Sequence, residues 1–265
     1  MLRWSINLFR VFGIQLSLHA SFLLLLAYAA YAGADDGGGW AGAGWSLGLV
    51  MIFFVCVVLH ELGHSLTARY FGIQVPRILL LPIGGMAEFE RIPRQPSQEL
   101  LITIAGPAVN FAIAGMLFVI ARTPANWPLT VDYPDSLVGL VQMLMTWNLA
   151  MGFFNLLPVF PMDGGRILRA LLATRLAYLR ATYWAAAIGR ILALTFAAIA
   201  AFYFHRPQTC ILFLFIAWAG TAEYNQTLRI EQQAPLTTDL DAIKRVDAND
   251  SATTVPPALP SGQDW

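Results

Sequence analysis

Long apolar stretches separated by short polar breaks run through the whole chain. A helix needs about 20 apolar residues to cross a bilayer. Segments of about that length fall at Ile14–Ala32, Trp45–Arg69, Gln98–Ala121, Leu137–Leu157, Thr182–Phe204 and Thr209–Tyr224. One stretch breaks the rhythm: Ile73–Glu90 has β-leaning residues on either side of Gly84-Gly85, a hairpin signal. Pro76 and Pro82 make it an edge ribbon rather than a central strand. The pattern therefore predicts an all-α polytopic membrane protein with about six transmembrane helices and a small membrane-associated β-hairpin. Residues 1–229 would form the transmembrane core. Residues 230–265 are polar, proline-containing and aspartate-rich, and are expected to be disordered.

Composition supports lipid as the solvent. The chain is 57% apolar and only 12% charged, where soluble domains carry about 25% charged residues. With a formal net charge of zero and no basic cluster, nothing points to nucleic acid. Cys56 and Cys210 give neither a disulfide framework nor zinc-finger spacing. The basic start (MLRWSINLFR) precedes a long apolar run without a small-residue cleavage site, so the expectation is a retained first span rather than a cleaved signal.

Positive charge sets the orientation. Arg3 and Arg10 precede the first span, and the next loop (ADDGGGWAGAG) has no Lys or Arg. Arg69, Arg77, Arg91 and Arg94 follow the second span; the loop after the third carries one Arg, Arg122, against Asp132 and Asp135. Arg166, Arg169, Arg175 and Arg180 follow the fourth, Arg206 the fifth and Arg229 the sixth. The alternation predicts a multi-pass protein of the cell membrane with both termini cytoplasmic.

Inside the second apolar stretch lies His60-Glu61-Leu62-Gly63-His64. Helical spacing stacks the two histidines on one face, one turn apart, as two ligands of a single metal require. Glu61 sits beside them, where it can take a proton from a metal-bound water. An ionisable side chain at bilayer depth costs roughly 2.5–3.5 kcal/mol on insertion scales, so three together imply a task. Five residues separate His64 from Arg69, which puts the metal about 8–13 Å below the cytoplasmic end of that helix. Cys56, one turn before His60, is either a small apolar packing residue or a neighbour of the metal.

A catalytic zinc site commonly uses three protein ligands and leaves a fourth position for water. The candidate third ligand is Asp163 in NLLPVFPMDGGR, where Pro158 and Pro161 end a helix and two glycines follow the carboxylate. The alternative is an interfacial turn with a solvated Asp. Both pieces lead toward the same side of the membrane. Asn148 and Asn155 share a helix face, either supporting the site or bonding between helices. The edge of the Ile73–Glu90 ribbon either pairs with an extended peptide or is a plain loop.

HELGH on one span with NLLPVFPMDGGR on a later one resembles the site-2 protease family of intramembrane zinc metalloproteases. Leu18-His19, Pro82-Ile83-Gly84-Gly85-Met86-Ala87 and Ala105-Gly106-Pro107-Ala108-Val109-Asn110 add to the likeness, which covers roughly residues 10–225. The resemblance implies one zinc ion per chain held by His60, His64 and Asp163, with Glu61 as catalytic acid/base. It implies that Asn110 holds or polarises the reacting peptide and that the Gly84-Gly85 hairpin receives an unwound substrate. The substrate would be a single-span membrane protein, cut within or near its span in regulated intramembrane proteolysis. His19 is assigned to the site by likeness and to a structural polar contact by chemistry. The expectation from the sequence is a short form, without room for a PDZ domain or for paired cystathionine-β-synthase-type domains. Oligomeric state, substrate identity and regulator are not legible. Two other classes stand beside this reading: a metal transporter, which would space its ligands along a path, and an inactive relative that only binds membrane proteins, which would lack the Glu or a ligand.

Overall fold

The structure is a computed structural model that describes residues 4–91, 93–121 and 136–253; the expected loop charges Arg122, Asp132 and Asp135 lie outside them. The chain opens with two strands, β1 (Ser5–Val11) and β2 (Ile14–His19), joined at Phe12-Gly13, both with positive φ. A short helix α1 (Phe22–Gly33) turns through Ala34–Gly38 into the long α2 (Gly39–Tyr70). The hairpin β3 (Arg77–Leu81) and β4 (Gly84–Glu88) follows. The remaining helices are α3 (Pro96–Ala121), α4 (Leu137–Asn155), α5 (Asp163–Ala173), α6 (Tyr178–Phe202) and α7 (Pro207–Thr253).

Among the described residues, four helices, α2, α3, α4 and α6, are long and apolar enough to cross a membrane. Two of the six expected spans fare differently. Ile14–Ala32 is not one helix: its first part is β2, and only the 12-residue α1 is helical. The alternation of Ile14, Leu16 and Leu18 with Gln15, Ser17 and His19 has the period of a strand. Thr209–Tyr224 is helical within α7, but α7 is not among the four long apolar helices. The same helix continues to Thr253, into the tail expected to be disordered.

The expected edge ribbon is half right: one of its two strands lies inside a larger sheet and the other at its edge. The strands form one sheet in the order β1-β2-β3-β4, antiparallel except for the parallel pair β2 and β3. β3 is thus an inner strand, flanked rather than interrupted by Pro76 and Pro82. Its Ile78, Leu79 and Leu80 are all buried, the continuous apolar run of a strand covered on both faces. β4 is an edge. Beneath the sheet, Ile14, Leu16, Ile78 and Leu80 share one core with Phe22, Phe54, Val57, Leu62 and Ala68 of α1 and α2.

A second lock ties the helices together. Arg169, counted above among the charges that follow the fourth span, is only 2% exposed. It donates to Glu99 of α3 through Nε at 2.8 Å and a terminal nitrogen at 2.5 Å, and to Glu223 of α7 at 3.3 Å. The guanidinium lies over the rings of Phe160 and Tyr178. Burial opposes its charge, but the facing Glu99, with Tyr178 and Glu223, outweighs that and holds its pKa above the ordinary value. The third candidate ligand and this arginine lie six residues apart on α5, so the ion pair fixes the ligand's helix against α3.

Candidate metal centre

His60 and His64 project from the C-terminal half of α2, and Asp163 is the first residue of α5. The chain reverses between α4 and α5 through Leu156–Met162, where Pro158 and Pro161 stop the helix. Both histidines face α3, which approaches α2 very closely. A Cβ on Gly106 would lie 2.2 Å from His64 Nε2, and one on Gly63 would lie 2.7 Å from the Ala105 carbonyl oxygen. These two glycines let the ligand-bearing faces meet.

Three ligand atoms converge. His60 Nε2 and His64 Nε2 are 3.1 Å apart, and each is 3.2 Å from Asp163 Oδ2. All three residues are buried. A tetrahedral zinc with bonds of about 2.0–2.2 Å needs neighbouring ligand atoms about 3.3–3.5 Å apart, so the spacing fits to within about 0.3 Å. The hydrogen bonds agree. His64 Nδ1 donates to the Ile102 carbonyl at 2.8 Å, and His60 Nδ1 donates to Asn110 Oδ1 at 2.6 Å. With protons on both Nδ1 atoms, both Nε2 atoms carry lone pairs. Asp163 Oδ2 is itself buried without a hydrogen-bond partner. Three electron-rich atoms within 3.2 Å of one another repel unless a cation lies between them. The residues fit a zinc ion.

Glu61, next to His60 on α2, turns toward the sheet. Its Oε2 accepts from the Ala87 backbone N–H at 3.2 Å, and a Cβ on Gly85 would lie 2.5 Å from Glu61 Cγ. Ala87 sits opposite Ile78, yet its N–H is given to Glu61 rather than to β3. In an antiparallel ladder alternate residues face alternate edges, so Gly85 and Ala87 both present their backbone groups on the free edge. No sequence signal marked this meeting of Glu61 with β4.

Other candidates land apart from the metal. Asn110 is fully buried beside His60, with Oδ1 on His60 and Nδ2 on Asn148. Cys56 meets Asn148, with Sγ at 3.3 Å from Nδ2. His19 closes the end of β2, its Nδ1 at 2.7 Å from Ser21 Oγ. Sequence reasoning missed Ile102, whose main-chain carbonyl carries no signature, and the pair Arg169–Glu99.

The likeness to known proteins bears on the same residues. A sequence model described as peptidase family M50 matches residues 48–127 and 130–196, together more than half of the chain and including both histidines, Glu61 and Asp163. The zinc metalloprotease MJ0392 of Methanocaldococcus jannaschii is 42% identical over 194 residues, which make up 73% of this chain and 53% of that protein. Rip3 of Mycobacterium tuberculosis is 32% identical over 206 residues, 75% of this chain and 51% of that one. A solved structure, the site-2 protease from Methanocaldococcus jannaschii, superposes with a TM-score of 0.59 at 38% identity, covering 83% of this chain and 95% of that one. This chain therefore belongs to peptidase family M50, the site-2 protease family of zinc metalloproteases. It is a membrane protein that spans about half the length of the curated relatives it matches.

Proposed function

We propose that the chain is an intramembrane zinc metalloprotease that hydrolyses a peptide bond within or near the transmembrane segment of a single-span membrane protein, in regulated intramembrane proteolysis. One observation carries the reading: three unpaired electron-rich atoms converge beside a carboxylate that itself reaches a free strand edge. His60, His64 and Asp163 would hold one zinc ion. A zinc ion held there would lower the pKa of a bound water to about 7 and polarise the scissile carbonyl. Glu61 takes the proton and delivers it to the leaving amine. Asn110 serves His60 in this reading.

Substrate binding follows from the free edge. A transmembrane helix hides its carbonyls in i→i−4 bonds and must unwind before attack. Main-chain bonds to Gly85 and Ala87 offset those it gives up. Pairing there would also draw the Ala87 N–H away from Glu61 and free that carboxylate for proton transfer. The arginine alternation supports cytoplasmic termini and a site near the inner leaflet, so a cleaved fragment would leave on the cytoplasmic side. The test is cleavage of a single-span reporter in proteoliposomes by the wild-type chain and by Glu61→Gln. The variant is expected to cleave at least about a hundredfold more slowly; equal rates from both would overturn the reading.

A further inference from the structure

The two metal-facing histidines are oriented by different means. His64 Nδ1 faces a main-chain carbonyl, that of Ile102 at 2.8 Å. A carbonyl can only accept, so the proton must sit on Nδ1 and the lone pair on Nε2. His60 Nδ1 faces a side-chain amide instead, 2.6 Å from Asn110 Oδ1. An amide has an accepting end and a donating end of nearly equal shape. Turned over, Asn110 would donate to Nδ1, and the proton of His60 would move to Nε2, pointing at the metal position.

What decides the matter lies one helix further away. Asn110 Nδ2 donates to Asn148 Oδ1 at 2.9 Å, and Asn148 Nδ2 donates to the Leu144 carbonyl at 2.8 Å. Both asparagines are 0% exposed, so bulk water cannot replace either partner. The Leu144 carbonyl can only accept, which fixes Asn148; Asn148 then fixes Asn110, and Asn110 fixes His60. Asn155, on the same face of α4, turns its Nδ2 back on the Met151 carbonyl at 3.0 Å.

We propose that Asn148 is a positioning residue for the metal: it sets the direction of the Asn110 amide and so the tautomer of His60 that leaves Nε2 free to ligate. This rests on the zinc-site reading above. Asn148 acts through two side chains.

The test measures the zinc dissociation constant of the purified full chain by competition with a chelating dye, alongside thermal unfolding of the zinc-free chain. Asn148→Leu removes the acceptor at similar volume and should weaken zinc binding roughly 10–100-fold. Adding Asn110→Asp supplies only accepting oxygens, so His60 Nδ1 must donate whichever way that side chain turns. The double variant should therefore regain most of the lost affinity, which a merely structural role for Asn148 would not allow. Should Asn148→Leu fail to fold, Asn148→Ala takes its place in both arms. Unchanged zinc affinity in the single variant overturns the proposal, as does a loss that Asn110→Asp leaves unrepaired. A wild-type chain that takes up no zinc is a distinct result, and it removes the zinc reading along with this one.

Discussion

Around His60 and His64 each ring nitrogen is committed: Nδ1 to a fixed acceptor on α3, Nε2 to the point shared with Asp163. Along β4 the backbone groups of Gly85 and Ala87 face outward, and one of them is engaged by a single flexible carboxylate. The metal side is built from buried helix faces in which one added atom has nowhere to go. The sheet side is half-exposed and can exchange partners. A ligand set must hold its geometry to within tenths of an ångström, whereas a strand edge that pairs through main-chain groups can take peptides of many sequences. The two sides therefore call for opposite mechanical properties.

Two glycines expose the contrast most directly. Gly106→Ala would put a Cβ 2.2 Å from His64 Nε2, and the packed α2–α3 contact cannot yield. We expect complete loss of zinc by metal analysis, and of cleavage with it; a variant that keeps stoichiometric zinc would break the comparison. Glu61→Gln should retain zinc and lower cleavage by roughly 10²–10⁴-fold, the range for a lost general acid/base. Next comes Arg169→Met, which leaves Glu99 buried without its partner. Removing one member of a buried pair costs about 3–5 kcal/mol, to be read as a lower unfolding temperature in detergent together with weaker zinc retention, because α5 carries Asp163. Unchanged stability would mean that the arginine does not brace the ligand helix.

On the sheet side the effects should be smaller and selective. Ala87→Pro removes the N–H that faces the free edge without touching the β3 ladder. Cleavage of a helical membrane substrate should fall about tenfold, the worth of roughly one main-chain hydrogen bond, with zinc and fold unchanged. An already extended soluble peptide should lose less, since it gives up no helical bonds on binding. Equal loss on both substrates would place the damage in the catalytic geometry. Gly85→Ala brings a Cβ to 2.5 Å from Glu61 Cγ, but that neighbour is a flexible side chain. We expect full zinc occupancy and the mildest loss of cleavage in the set.

The metal side was the more legible in the sequence, for a physical reason. His60, Glu61 and His64 lie within one helical turn, so local periodicity alone brings them together, and Asp163 is marked by two prolines that force a helix end. The sheet depends on distant pairing. Nothing near Arg77–Leu81 announces that its parallel neighbour is Gln15–Leu18, so β3 read as an edge. High hydrophobicity also masked the two-residue alternation of Ile14–His19, and a strand read as part of a span. Arg169 looked like any loop arginine because Glu99 and Glu223 are 70 and 54 residues away. The direction of the Asn110 amide has no sequence signature, because it depends on where α4 places a carbonyl.

The parallel pairing of β2 with β3 also imposes a schedule on synthesis. About sixty residues, including all of α2, separate the paired positions. At ribosomal rates of about 5–20 residues per second, β2 waits roughly 3–12 s for its neighbour. Asp163 is made about a hundred residues after His64, a further delay of roughly 5–20 s. A nascent chain thus carries the histidines and Glu61 well before it carries a complete ligand set.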